Sequence, residues 1–145
     1  MKTPLILLVD DSKATRAIVA KMLGGYDCEI LEAANGALGL EAARQGQPDL
    51  IVLDMTMPVM NGVEALRELQ ADEVLRKIPV IMLTANSNPE EMDQMKALGA
   101  TDYITKTQKP RIILERAIAL IGLQAKPGPV ASAAPAFRAD VTAGI

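Results

Sequence analysis

Five short strand-like runs alternate with five amphipathic stretches along most of this chain, and that alternation leaves few folds open. Leu5–Val9 is a continuous apolar run, as expected of a strand covered on both faces. Cys28–Ala33 reads as a second strand, Leu50–Leu53 as a third, Val80–Leu83 as a fourth and Asp102–Thr105 as a short fifth. Helical stretches fall between them, over Lys13–Leu23, Ala37–Gln45, Val63–Ala71, Pro89–Leu98 and from Pro110 onward. Repeated βαβ units of this kind predict an α/β fold, with a parallel sheet, right-handed crossovers and helices on both faces.

Local signals agree with the boundaries. Ser12 is placed to cap the first helix, whose apolar stripe reads as Ala14, Ile18 and Met22, and Gly24-Gly25 follows it. Asn35-Gly36 turns the chain into the second helix. Val63, Leu66 and Leu69 point together on the third. Asn88-Pro89-Glu90-Glu91 supplies a cap, a first-turn proline and acids that suit the helix dipole, and Gly99 ends that helix. The last helix presents Leu114, Ala117, Ile118 and Ile121 on one face. From Gln124 the composition turns to Ala, Pro and Gly without periodicity. The expected division is one domain over residues 1–124 and an Ala/Pro-rich tail or linker without regular structure over 125–145.

Several counts exclude chemistry. The chain has no histidine, so Ser-His-Asp and Cys-His triads, His-ligated zinc and a histidine phosphodonor are all ruled out. Its single cysteine, Cys28, cannot form an internal disulfide, which suits a reducing setting. The net charge of −3, from 15 basic and 18 acidic residues, argues against a basic nucleic-acid face. Aromatic content of 2% leaves no base-stacking platform. No apolar run approaches a membrane span, and Leu5–Val9 is too short for a signal-peptide core. The expectation is a cytoplasmic protein with no membrane or nucleic-acid partner.

Ligands of open parallel α/β sheets bind at the carboxyl ends of the strands. There the first strand runs into Asp10-Asp11, the third into Asp54, the fourth into Thr84-Ala85, and Lys106 follows the fifth. Taken singly, the aspartates read as turn or capping residues, Thr84 as a strand residue and Lys106 as a surface lysine. Together they lie on one rim, which independent surface residues need not do. Like charges at 4 Å repel by about 4 kcal/mol at an effective dielectric of 20, so the rim requires compensation. Lys106 supplies part of it. A hard cation with oxygen ligands supplies the rest, and Mg²⁺ fits a set without His or Cys, with Mn²⁺ as a substitute. A nucleotide or flavin site would want a glycine-rich loop after the first strand, where two anions stand instead.

The segments Leu8–Ser12, Leu53–Gly62, Leu83–Ala85 and Tyr103–Lys106 together resemble the receiver domain of two-component response regulators, most of all the single-domain chemotaxis type. The resemblance covers residues 4–123. It implies a flavodoxin-like, doubly wound five-stranded sheet of order 2-1-3-4-5 with five helices. It implies a phosphorylation-activated signalling switch, not an enzyme acting on other molecules, that catalyses only its own phosphorylation and dephosphorylation. Asp54 would accept the phosphoryl group from a phosphohistidine of a sensor histidine kinase or histidine phosphotransfer protein. Asp11, Asp54 and the backbone carbonyl of Thr56 would ligate Mg²⁺, with Asp10 holding it through water. Lys106 and Thr84 would meet phosphoryl oxygens, with the Ala85 amide as a further donor. Tyr103 would change rotamer with Thr84, and the face built from the fourth helix, fifth strand and fifth helix would carry the output to a downstream protein.

The chain departs from the family pattern after Lys106, where many receivers have proline and then an aromatic. Here Thr107-Gln108 follow, and a non-proline cis bond costs about 2.5–4 kcal/mol, so a cis peptide is not expected. Taking Lys109-Pro110 as the pair would lengthen the spacing from Thr84 by three residues. Thr56 and Asn86, two residues past Asp54 and Thr84, stand where the family tunes hydrolysis. Two other functions compete with the switch. A haloacid-dehalogenase-like phosphohydrolase would also use an aspartate after a strand, but it wants a second aspartate where Thr56 stands. A receiver-fold scaffold acting without phosphorylation has no need to concentrate this charge.

Overall fold

The structure, a computed structural model, describes residues 3–55, 60–85, 88–106 and 110–125. Five parallel strands, β1 (Leu5–Val9), β2 (Glu29–Ala33), β3 (Leu50–Asp54), β4 (Val80–Thr84) and β5 (Asp102–Thr105), form one sheet in the order β2-β1-β3-β4-β5. Five helices connect or follow them: α1 (Lys13–Leu23), α2 (Gly36–Gly46), α3 (Gly62–Ala71), α4 (Pro89–Ala97) and α5 (Arg111–Ile121). A 3-10 turn at Leu75–Lys77, absent from the sequence expectation, precedes β4.

Each strand alternates its side chains between two cores. Leu7, Val9, Ile51, Leu53, Val80, Met82 and Tyr103 face a layer that includes Leu40 of α2, Leu66 and Leu69 of α3 and Met95 of α4. Ile6, Leu8, Val52, Ile81, Leu83 and Ile104 face Val19 and Leu23 of α1 and Ile113, Leu114 and Ala117 of α5. Burial on both faces explains why β1, β3 and β4 are continuous apolar runs, while edge strand β2 carries exposed Glu29 and Glu32.

The caps expected at Ser12 and Asn88 form, and Asn35 and Asn61 add caps at α2 and α3. Ser12 Oγ accepts from the Thr15 amide at 3.2 Å, Asn35 Oδ1 from Leu38 at 2.9 Å and Asn88 Oδ1 from Glu90 at 2.9 Å. Asn61 and Glu64 complete a reciprocal capping box at α3, with bonds of 2.9 and 3.1 Å. After α5, Leu123 is buried against the α1/α5 core, Gln124 accepts a backbone bond from Asp27 at 2.7 Å and Ala125 bridges Tyr26. The chain is therefore held through residue 125, and the rest of the expected tail lies outside the described residues.

One helix face sits one position away from the sequence expectation, and on another a single expected residue turns outward. On α1 the buried line is Val19–Leu23, and Ile18 is 54% exposed. On α5, Leu114 and Ala117 are buried and Ile121 packs against the core as expected, Ile113 joins them, and Ile118 alone of the expected face turns outward at 36% exposure. In both helices several apolar residues adjoin the true stripe, so periodicity alone admits either register. Truncating buried Val19 to Ala should cost about 2 kcal/mol of lost methyl burial and cavity. Ile18→Ala should stay within about 0.5 kcal/mol. Urea unfolding followed by far-UV circular dichroism separates the two, and a larger loss at Ile18 would overturn this assignment.

Candidate functional site

The sheet register gathers the rim residues. Val9 pairs with Leu53, so Asp10, the next residue, stands level with Asp54 at the end of β3. Asp54 pairs with Leu83, and Thr84 pairs with Thr105, immediately before Lys106. The Lys106 amide donates to the Thr84 carbonyl at 2.6 Å, fixing the chain as it leaves β5. Ligand oxygens of Asp10, Asp11 and Asp54 all lie within 4.8 Å of one another.

Asp10 and Asp54 are buried, each with a side chain only 4% exposed, while Asp11 faces solvent. Lys106 Nζ sits 3.0 Å from Asp10 Oδ2 and 3.1 Å from Asp54 Oδ2, bridging both carboxylates. Burial is the largest single influence on this lysine and opposes its charge. Hydrogen bonds to Asp10 and then Asp54, reinforced by their charges, outweigh it and hold the ammonium above its ordinary pKa. Asp10 Oδ1 accepts the Ser12 amide at 2.8 Å, so the turn function expected of an isolated aspartate is real here and coexists with the cluster. Its other oxygen, Oδ2, is buried, and among the described residues its partner is the Lys106 ammonium at 3.0 Å. A buried carboxylate oxygen with spare capacity, beside a third, exposed carboxylate, suits a hard divalent cation.

Glycine lets the start of α3 come up against the end of β3. The Gly62 amide donates to the Met55 carbonyl at 2.9 Å, and a Cβ on Gly62 would run into the Asp54 carbonyl oxygen. The Gly36 amide likewise donates to the Met60 carbonyl at 3.1 Å, tying the loop to α2. Thr84 and Tyr103 are both buried, and by strand alternation both belong to the α2–α3–α4 side of the sheet. The structure thus brings together Asp10, Asp11, Asp54 and Lys106, with Thr84 ending the adjacent strand. Thr56, Asn86 and the Lys106–Thr107 peptide bond fall on or reach into residues outside the described ones.

Arg16 of α1 was not anticipated. Its Nη1 donates to the Asp10 carbonyl oxygen at 2.8 Å, and its Nε meets Glu32 of β2 at 3.1 Å. The available signal was position: Arg16 follows the Ser12 cap by one helical turn, which turns its side chain back toward the β1–α1 connection.

The response regulator receiver domain family matches residues 6–118, and the chain belongs to that family. It is 39% identical over 132 residues to the phosphate regulon transcriptional regulatory protein PhoB of Pseudomonas aeruginosa, covering 90% of this chain and 56% of that protein. The chain therefore spans about half the length of this curated relative. It is 36% identical over 110 residues to protein PilH of the same organism, covering 76% of this chain and 91% of that one. Among solved structures, chemotaxis protein CheY4 of Vibrio cholerae superposes with a TM-score of 0.77 at 31% identity, covering 83% of this chain and all of that one. The Mn²⁺-bound form of response regulator Rcp1 superposes with a TM-score of 0.70 at 27% identity, covering 84% and 98%. Receiver domains are phosphorylation-activated switches of two-component signalling rather than classical enzymes, and they take phosphoryl groups from histidine kinases. Among the described residues no helix is long and apolar enough to cross a membrane.

The lysine bridge has a pH signature. Because the folded lysine pKa is raised, the bridge stabilises the fold fully below about pH 10.5, the ordinary lysine value, and is lost as pH rises through the higher folded value. Lys106→Met should lower the urea midpoint at pH 7, and the gap from wild type should shrink at strongly alkaline pH. A gap independent of pH would remove the ion pair as its cause.

Proposed function

We propose that this chain is a Mg²⁺-dependent phosphoacceptor that takes a phosphoryl group onto Asp54 from the phosphohistidine of a sensor histidine kinase or a histidine phosphotransfer protein. The observation that carries this reading is the Lys106 ammonium, held within 3.1 Å of both Asp10 and Asp54 beside a third carboxylate. A carboxylate oxygen of Asp54 forms the new O–P bond while the donor's P–N bond breaks, and the imidazole nitrogen leaves with that electron pair and is protonated from solvent. Catalysis of such a transfer is mainly positioning and charge neutralisation. Lys106 pairs with a phosphoryl oxygen, and Thr84 and the Ala85 amide donate to the others.

Asp11 and Asp54 are the direct ligands expected for the cation, with Asp10 acting through water and the Thr56 carbonyl as a further ligand. When bound, Mg²⁺ supplies positive charge against these carboxylates and the phosphoryl oxygens. The Mn²⁺-bound form of response regulator Rcp1 supports a divalent cation in such a site, with Mn²⁺ as substitute. The chain acts as an enzyme only on itself. Modification shifts a balance between two existing conformations through Thr84 and Tyr103, and the face of α4, β5 and α5 reads that shift out to a downstream protein. The setting is the cytoplasm, and nucleic acid is not a partner of this domain. The Ala/Pro-rich residues after 125 serve as a tail or linker.

Incubation with acetyl phosphate and Mg²⁺ should add one phosphoryl mass to the wild-type chain, read by intact mass spectrometry. Asp54→Asn or excess EDTA should abolish the addition. An unmodified wild type would sink the reading, and steady release of phosphate from a simple ester would favour a phosphohydrolase instead.

A further inference from the structure

We infer that Arg16, together with Glu32, is a positioning residue that sets the β1–α1 turn for cation binding. This rests on the metal-dependent reading above. Asp10 and Asp11 occupy the short connection between β1 and α1, so their carboxylates can be aimed only as well as that connection is held. Three backbone or side-chain bonds fix it. The Asp10 amide donates to the Ala33 carbonyl of β2 at 3.1 Å, and Asp10 Oδ1 accepts from the Ser12 amide at 2.8 Å. The third is the Arg16 bond to the Asp10 carbonyl at 2.8 Å.

This third bond has the geometry of a bracket. The Arg16 side chain is only 13% exposed, and its guanidinium has donors directed two ways. Nη1 takes the peptide carbonyl on the inner side, while Nε is anchored at 3.1 Å by Glu32, one strand away on the sheet edge. In register terms Glu32 pairs with Leu8 and Ala33 with Val9, so β2 holds the Asp10 residue twice, once through its backbone and once through Glu32 and Arg16. Lysine could reach one of these two partners but not hold both in a fixed fork. At Asp10 the guanidinium binds the backbone carbonyl rather than the side-chain carboxylate, and the carboxylate it does bind is that of Glu32. Arg16 therefore orients the acidic pair without consuming the oxygens that a cation needs. Outer partners of this kind commonly change metal affinity by about 10–100-fold when removed.

The test is Mn²⁺ titration of the full chain, read from the electron paramagnetic resonance of the free ion, with urea unfolding measured alongside. Arg16→Met should weaken Mn²⁺ binding about tenfold, Arg16→Lys should recover part of that loss, and Glu32→Ala should weaken binding in the same direction by less. Glu32→Gln, which keeps an acceptor, should stay near wild type. Asp11→Asn serves as the ligand control and should lose most of the affinity. Wild-type binding with unchanged affinity in both Arg16→Met and Glu32→Ala would overturn the inference while leaving the metal reading intact, even if stability falls. Failure of the wild type itself to bind Mn²⁺ would overturn both.

Discussion

Two carboxylates shut away from water beside each other are a liability unless a positive charge lies between them. Lys106 meets that requirement from β5, and much of the local architecture serves to bring it there. Asp10 arrives from β1 and Asp54 from β3, neighbours in the sheet, whereas the lysine comes from the far edge strand and crosses β4 to reach them. The bond between its own amide and the Thr84 carbonyl starts that crossing from a fixed point. At an effective dielectric of 20, two unit charges 4 Å apart interact by about 4 kcal/mol, comparable to a large part of a small domain's net stability. The fold and the charge cluster are thus coupled, and any change in one side chain's charge is felt through β1, β3 and β5 together.

That coupling explains why a domain with so plain a core can act as a switch. The two apolar layers are built almost wholly from aliphatic side chains and tolerate little repacking. The polar cluster sits above them on strand ends and short loops, where a local rearrangement costs few core contacts. Thr84 and Tyr103 belong to the side of the sheet that packs α4, so a change at the carboxyl rim has a direct physical route to that helix.

Most of this architecture could be read from the sequence. The strand boundaries followed from apolar runs, the helix starts from Ser12, Asn35 and Asn88, and the rim from the residue that ends each strand. The sheet order came from the family resemblance rather than from the runs themselves. What escaped had physical causes. The face of α1 was displaced by one position, and Ile118 of α5 was wrongly placed inside, because Ile18 and Ile118 adjoin the buried lines and hydropathy does not distinguish adjoining apolar residues. The 3-10 turn at Leu75–Lys77 follows Asp72, whose carboxylate accepts the amides of Val74 and Leu75 at 2.8 and 3.0 Å, a local bond with no periodic signature. Arg16 escaped because its partners, a carbonyl and an acid on another strand, are defined only by the tertiary structure.

The bridge between Tyr26 and Ala125 has a geometric corollary. Tyr26 lies beyond the last turn of α1, just before β2 begins, which puts this junction at the amino-end pole of the sheet, opposite the carboxylates. Whatever cargo is tethered past residue 125 starts its path at that distant pole, so a fluorescent label or an affinity handle fused there leaves the mouth of the acidic hollow unshadowed at its root.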